Sequence, residues 1–454
     1  MPLEIELQAG MSELMHLTAT AAADAIRRGD TTSEALVSAC LDRIAARDGE
    51  IGAFAHLDPE QALADARLAD NDRRSGRGTG PLNGVPIALK DIIDTAGRPT
   101  ENGSAIFHGR RPMHDAAVVT TLKNAGAVIL GKTVSTELAL LTPAKTRNPF
   151  NTDHTPGGSS AGSAAAVADH MVPVAIGTQT AGSVLRPASY CGIYGFKPTL
   201  GLIPRSGILM QSHTLDTVGV LARSVEDLAL LADVMAAQDP SDAVSYARSQ
   251  PNLLSIARSA SPIPPIFAVV KTTAWDTDAT AVMKAAFDEL VDALGDHCEV
   301  IDLVSSGDAI EAQRIVQLAE NAAYYGPLLK RAPALLSDGL KARLAAGLAV
   351  PAHEYVDAVR VRDELYGVID EITTNYSAIL TLAAPGPAPK LSDGITGSPI
   401  FNGLWTYYGC PCVSIPLMEA DGLPMGAQLV GARGDDGRLL RTAKWLAGHV
   451  ASLA

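Results

Sequence analysis

Apolar positions change their period along the chain. Over the first 75 residues they recur at helical intervals, with Leu36, Cys40 and Ile44 on one face. Gly29 predicts the stop of the preceding helix. Thr31 and Glu34 have capping-box spacing, and Pro59 predicts a helix start running to Asp70. The polar stretch 71–80, with Arg73, Arg74 and Arg77, predicts a solvated loop. From Leu82 short apolar runs alternate with helical segments. The runs 85–89, 127–130, 172–176 and 266–270 predict buried strands, and 118–124 and 163–168 predict helices. Residues 240–375 read as mostly helical, with the stripe Leu335, Leu336, Leu340, Leu344. Strand texture returns at 378–382, 412–416 and 427–430. The pattern predicts an α/β fold, with one large parallel or mixed β-sheet built from both ends of the chain and covered by helices on both faces. Residues 1–75 form an N-terminal helical arm in this reading, 76–454 the α/β core, and about 240–375 a helical cover.

Composition narrows the function classes. With 47% hydrophobic and 19% charged residues, the 454-residue chain is too apolar for a disordered one. Its 36 basic and 50 acidic residues leave a net charge of −14, a poor match for nucleic acid or an anionic membrane. No apolar run approaches the ~18 residues of a membrane span. Residues 1–10 carry Glu4 and Glu6 and lack the pattern of a signal peptide. Five scattered cysteines (Cys40, Cys191, Cys298, Cys410, Cys412) argue against a disulfide framework and for a reducing cytoplasm. Cys410-Pro-Cys412 has no companion ligands, and no histidine pair has metal-site spacing, so neither metal nor cofactor is expected.

Three motifs bear on chemistry. Gly126-Ala-Val-Ile-Leu-Gly131-Lys132-Thr133 matches the letters of a phosphate-binding loop, but its centre reads as a strand rather than a loop following one. Gly158-Ser159-Ser160-Ala161-Gly162 fits the elbow GxSxG with Ser160 as nucleophile, without the strand lead-in or downstream acid and histidine that reading needs. The third is long: Pro156-Gly-Gly-Ser-Ser-Ala-Gly-Ser163, an Ala-rich segment, then Gly177-Thr-Gln-Thr-Ala-Gly-Ser183-Val-Leu-Arg186-Pro187. Small residues at both turns let backbone N–H groups approach one point. Upstream, Lys90 ends an apolar run, and a lysine near two serines suits Ser-Lys chemistry.

The region 157–197 resembles the signature of the amidase signature hydrolases. Gly84-Val-Pro-Ile-Ala-Leu-Lys90-Asp91, Asn148-Pro-Phe-Asn151, Leu215-Asp-Thr-Val-Gly219 and Gly422-Leu-Pro-Met-Gly426 extend the likeness. Lys90 precedes Ser159 by 69 positions and Ser159 precedes Ser183 by 24, which is the family's spacing. The resemblance implies Ser183 as nucleophile, Ser159 as bridging serine after a cis peptide bond, and Lys90 as base. It also implies an oxyanion site at the backbone N–H groups of Thr180, Ala181, Gly182 and Ser183. Burial must then lower the Lys90 pKa against the pull of Asp91. Ser160 and Ser163 read as supports of the turn.

Substrate contacts are expected from Gln179, Arg186, Leu141 and Met210. Arg186 suits either a substrate carboxylate or a structural acid. Gln179 and Ala181 stand where many members have Asp and Gly. In texture the chain is similar to the malonamidases, which share the glutamine and the run Gly403-Leu-Trp405…Gly409-Cys-Pro-Cys. Those carry an arginine in the segment matching 136–143, where this chain has Leu140-Leu141. The resemblance therefore implies a cofactor-free amidohydrolase, favouring small neutral linear amides, aryl esters or carbamates (urethanes). Water is the second substrate, no nucleic acid or membrane takes part, and a homodimer stays open. The alternatives are the glutaminase subunit of a tRNA amidotransferase, for which long insertions are not obvious, and a non-catalytic binding module.

Overall fold

The structure, a computed structural model, describes residues 13–77, 80–303 and 305–453. Residues 1–10, read above for a signal peptide, lie outside the described residues. Thr18 caps the helix Ala19–Arg28, and Gly29 ends it in the left-handed region at φ 82°. Ser33–Ile51 starts one residue later than a Thr31 cap requires. Thr32 takes the Ala35 N–H, and the Glu34 N–H goes to Asp70 rather than into a capping box. Asp58 caps Pro59–Arg74, which consumes the first part of the expected loop.

Eleven strands among the described residues form one mixed sheet. They are β1 (Phe54–Leu57), β2 (Pro86–Lys90), β3 (Val128–Thr133), β4 (Val174–Gln179), β5 (Tyr194–Lys197), β6 (Thr217–Ala222), β7 (Phe267–Val270), β8 (Cys298–Ile301), β9 (Ala378–Leu382), β10 (Cys412–Ala420) and β11 (Leu423–Val430). The order across the sheet is β1-β3-β2-β4-β6-β5-β10-β11-β9-β7-β8. β2 runs parallel to both β3 and β4, whereas β4 and β6 are antiparallel. The two ends of the chain thus share one sheet, with β7 and β8 added from the helical middle. β2, β3 and β4 are buried along their whole length, as strands covered on both faces must be. The helix Ala161–Ala168 is almost wholly Ala and Gly, and it packs close. A Cβ on Gly162 would lie 2.1 Å from the Ala53 carbonyl oxygen. The middle segment contributes the long helices Ser306–Arg331 and Ala352–Asn375, with Asp338–Leu348 between them. Leu336, Leu340 and Leu344 are buried there beside Tyr325 and Leu138, while Leu335 faces outward.

Candidate active site

Parallel pairing of β2 with β4 decides where the chemistry gathers. It brings the ends of both strands, Lys90 and the turn after Gln179, to one edge of the sheet. Lys90 is fully buried. Its Nζ donates to Ser159 Oγ at 2.7 Å and to Thr178 Oγ1 at 2.9 Å. Burial pulls its pKa from the usual lysine value down to about 7, with Asp216 opposing and Arg186 adding to the fall. Asp91, expected to hold Lys90 charged, turns away. It accepts from the Glu101 N–H and faces Lys132 at 3.9 Å, and burial raises its own pKa to about 6.

The peptide bond between Gly158 and Ser159 is cis. Thr136 N–H donates to the Ser159 carbonyl at 3.2 Å, and Ser160 N–H reaches the Ser183 carbonyl at 3.3 Å, so the two turns touch. Ser183 alone of the three is partly exposed. Among the described residues its hydroxyl makes no hydrogen bond to Ser159. The backbone N–H groups of Thr180, Ala181, Gly182 and Ser183 donate to no acceptor there either. Four adjacent free donors at a glycine turn suit a developing oxyanion.

The turn is held from behind. Gln179 is buried and spent on support: its Oε1 accepts from Val184 and Leu185 N–H at 2.9 and 3.1 Å, and its Nε2 donates to Thr406 Oγ1. It caps the short helix Leu185–Tyr190, and both ends of the amide expected to contact substrate are engaged by protein groups. Thr406 in turn donates to the Ala181 carbonyl at 2.8 Å. A Cβ on Gly182 would stand 2.5 Å from Asn402 Oδ1, so glycine is required. Thr180 donates its hydroxyl to Asp216, whose other oxygen accepts from the Gln211 and Ser212 N–H groups.

One narrow cavity opens onto Ala181, Gly182 and Ser183, with Leu140 and Leu141 on its wall. Met210 lies apart from that cavity, in a small space beside Thr178 and Asp216. Arg186 lines the Ser183 cavity. Its Nη2 donates to the Gly158 carbonyl at 2.6 Å, while Nε and Nη1 have no partner among the described residues. No structural acid among them pairs with it, and burial lowers its pKa to about 10. A second guanidinium, Arg343, enters from the helix Asp338–Leu348 and is held at Nε by Asn321 Oδ1 at 2.9 Å. The sequence pattern places no cation there, because an arginine in a helical cover carries no motif. Two guanidiniums and two amides, Gln211 and Gln317, thus share the cavity with the leucines, so Leu140-Leu141 do not make its lining apolar.

The other motifs resolve as structure. The segment 126–133 contains β3, with Lys132 spent on the Ile93 carbonyl and Thr100. Ser160 is fully buried, and its hydroxyl donates to the Thr178 carbonyl. Ser163 shares a hydrogen bond with Thr133. Among the described residues no group of three His, Cys, Asp or Glu side chains is placed to hold a metal, and no helix is long and apolar enough to cross a membrane.

The amidase family model matches residues 35–440, most of the chain. The protein belongs to the amidase signature family. A glutamyl-tRNA(Gln) amidotransferase subunit of Chloroflexus aurantiacus is 48% identical over 241 residues, which are 52% of this chain and 50% of that protein. Over this stretch the chain spans about half of that relative's length. The subunit of the same name from Chloroflexus aggregans is 34% identical over 95% of the chain and 96% of its own length. A solved structure described as a vestigial protein complex that reveals the evolutionary origins of an s-triazine catabolic enzyme superimposes with TM-score 0.89. It is 30% identical over 95% of this chain and 98% of its own. Membership places the chain in a family of C–N bond hydrolases. The expectation of a small-molecule amide, ester or carbamate as partner, with no nucleic acid, is overturned by these relatives, which are glutamyl-tRNA(Gln) amidotransferase subunits.

Proposed function

We propose that this protein is the glutaminase subunit of a glutamyl-tRNA(Gln) amidotransferase, acting in the cytoplasm with partner subunits and releasing ammonia from glutamine for transfer to an acyl group carried on tRNA. The observation that carries the reading is the pair of guanidiniums, Arg186 and Arg343, in one cavity with Ser183. They suit an amide whose far end is a carboxylate, since a guanidinium binds a carboxylate through paired charge-assisted hydrogen bonds. Glutamine is an amide of that kind.

In this reading Ser183 attacks the side-chain carbonyl of glutamine. Its proton passes to Ser159, which gives its own to neutral Lys90. The tetrahedral oxyanion sits on the backbone N–H groups of the 180–183 turn. Lys90, now charged, returns the proton through Ser159 to the departing nitrogen, and ammonia leaves. Water then attacks the glutamyl ester on Ser183 by the same relay and releases glutamate.

The test is ammonia release from glutamine by the chain alone and with partner subunits and aminoacylated tRNA. Ser183→Ala must abolish it. Absence of release in the assembled complex, while a sulfonyl fluoride still labels Ser183, would refute the glutaminase assignment.

A further inference from the structure

Gln211 is clamped on three sides. Its backbone N–H donates to Asp216 Oδ2 at 2.8 Å, its carbonyl accepts from Asn321 Nδ2 at 3.1 Å, and its side-chain Nε2 donates to the Ala139 carbonyl at 2.8 Å. Since a carbonyl only accepts, the contact with Ala139 fixes which end of the amide is nitrogen. The remaining end, Oε1, is buried on a residue 2% exposed, and it has no partner among the described residues. Gln211 lines the same cavity as Ser183, Arg186 and Arg343, and on its other side the small space beside Thr178 and Asp216.

A fixed acceptor without a donor is costly when buried. Among the described residues no donor reaches it, although the Ser183 hydroxyl and the unpartnered Nε and Nη1 of Arg186 line the same cavity. Arg343 is tethered at Nε to Asn321, the residue that also holds the Gln211 carbonyl. The Arg186 Nη2 is committed to Gly158. The arrangement therefore sets two anion-seeking groups and one rigid donor-seeking oxygen around a single ligand volume.

We propose that Gln211 is a specificity-determining residue whose Oε1 accepts a hydrogen bond from a substrate N–H. The site then takes carboxylate-bearing amides that carry a second nitrogen donor, such as an α-ammonium group, in preference to those that lack one. This deepens the reading of the Ser183 cavity given above and depends on that site, but not on glutamine being the amide cleaved.

The experiment measures protection of Ser183 from sulfonyl fluoride labelling by L-glutamate and by glutarate, which differ only in the α-ammonium. Wild type is expected to favour glutamate by about tenfold or more. Gln211→Met, which keeps length without the acceptor, brings the ratio near one. Gln211→Glu, which adds charge to the acceptor, raises it. Equal protection by both ligands in the wild type, or an unchanged ratio in Gln211→Met, overturns the proposal. If the Met variant does not fold, the Glu variant decides, and an unmoved ratio there overturns it. A Gln211-dependent preference for glutamate in a protein that never hydrolyses glutamine leaves this inference standing and removes the glutaminase assignment. Glutamine hydrolysis with no discrimination does the reverse.

Discussion

Thr180 donates its hydroxyl to Asp216 across 2.6 Å, joining the glycine turn to the loop that precedes β6. Asp216 is also the carboxylate that works against burial to keep Lys90 charged. Removing an anion disfavours the charged form of a nearby lysine. Asp216→Asn is therefore expected to move the acid limb of the kcat/KM profile to lower pH. A limb that stays in place, or moves up, contradicts the coupling.

Lys90 itself sets that limb. With its pKa at about 7, kcat/KM rises as pH passes through neutrality and the lysine loses its proton. The same burial has a cost in stability. Between about pH 7 and the ordinary lysine value of 10.5 the unfolded chain holds a proton that the folded one does not, so stability from this group grows as pH rises. Lys90→Met should abolish turnover while being favoured in Tm over wild type most strongly below about pH 7, with the gap narrowing toward pH 10.5. A gap that widens with pH contradicts the assignment.

Ser183→Ala is expected to lower kcat by about 10³-fold or more with Tm nearly unchanged, because the side chain is partly exposed and makes no hydrogen bond among the described residues. Mass spectrometry after a sulfonyl fluoride should find one adduct, on Ser183. Labelling of Ser160 would revive the GxSxG reading.

Arg186→Leu and Arg343→Leu should each raise KM for a carboxylate-bearing amide by roughly 10–100-fold, about the worth of a charge-assisted hydrogen bond. A neutral amide of similar size should be affected far less. Equal losses for both substrates would mean the guanidiniums only hold the turn.

Glu320 is 2% exposed on the helix Ser306–Arg331, and it accepts from the hydroxyls of Ser212, Thr214 and Tyr355. Glu320→Leu strands those donors and should cost about 3 kcal/mol, read as a lowered Tm. The loop 211–217 should then exchange amide hydrogens faster than the sheet does. Unchanged exchange in that loop would show that Glu320 does not hold it.

The sheet is legible where apolar runs are long enough to have a period. The run 378–382 is β9 residue for residue, and β2, β3 and β4 lie within a few residues of their predicted positions. β1, β5 and β8 are four-residue strands like β7, but His56, Gly195 and Glu299 interrupt their apolar runs where β7 is apolar throughout. β6 shows in the sequence only as a motif. At the site, Lys90, Ser159 and Ser183 stand out because turns and intervals carry them, and the first two do meet at 2.7 Å. Arg343, Gln211 and Glu320 leave no such trace. Each owes its place to a distant segment packing against it, which one sequence does not encode locally. Gln179 misleads for the opposite reason: it neighbours the turn in sequence, yet it faces away from the cavity.

Lys90, Ser159 and Ser183 hang from the first half of the sheet, whereas Arg343, Asn321 and Gln317 arrive on helices between 306 and 348. Arg186 and Gln211 stay with bond cleavage, but the rest of the polar lining thus sits on a separate stretch of polypeptide. Such a division lets a lineage exchange its substrate by redrawing one block of helices while leaving the proton relay untouched. Chimeras that graft 306–348 from another family member onto this sheet offer a direct route to altered selectivity, and they should keep the reactive serine labelled by the same sulfonyl fluoride.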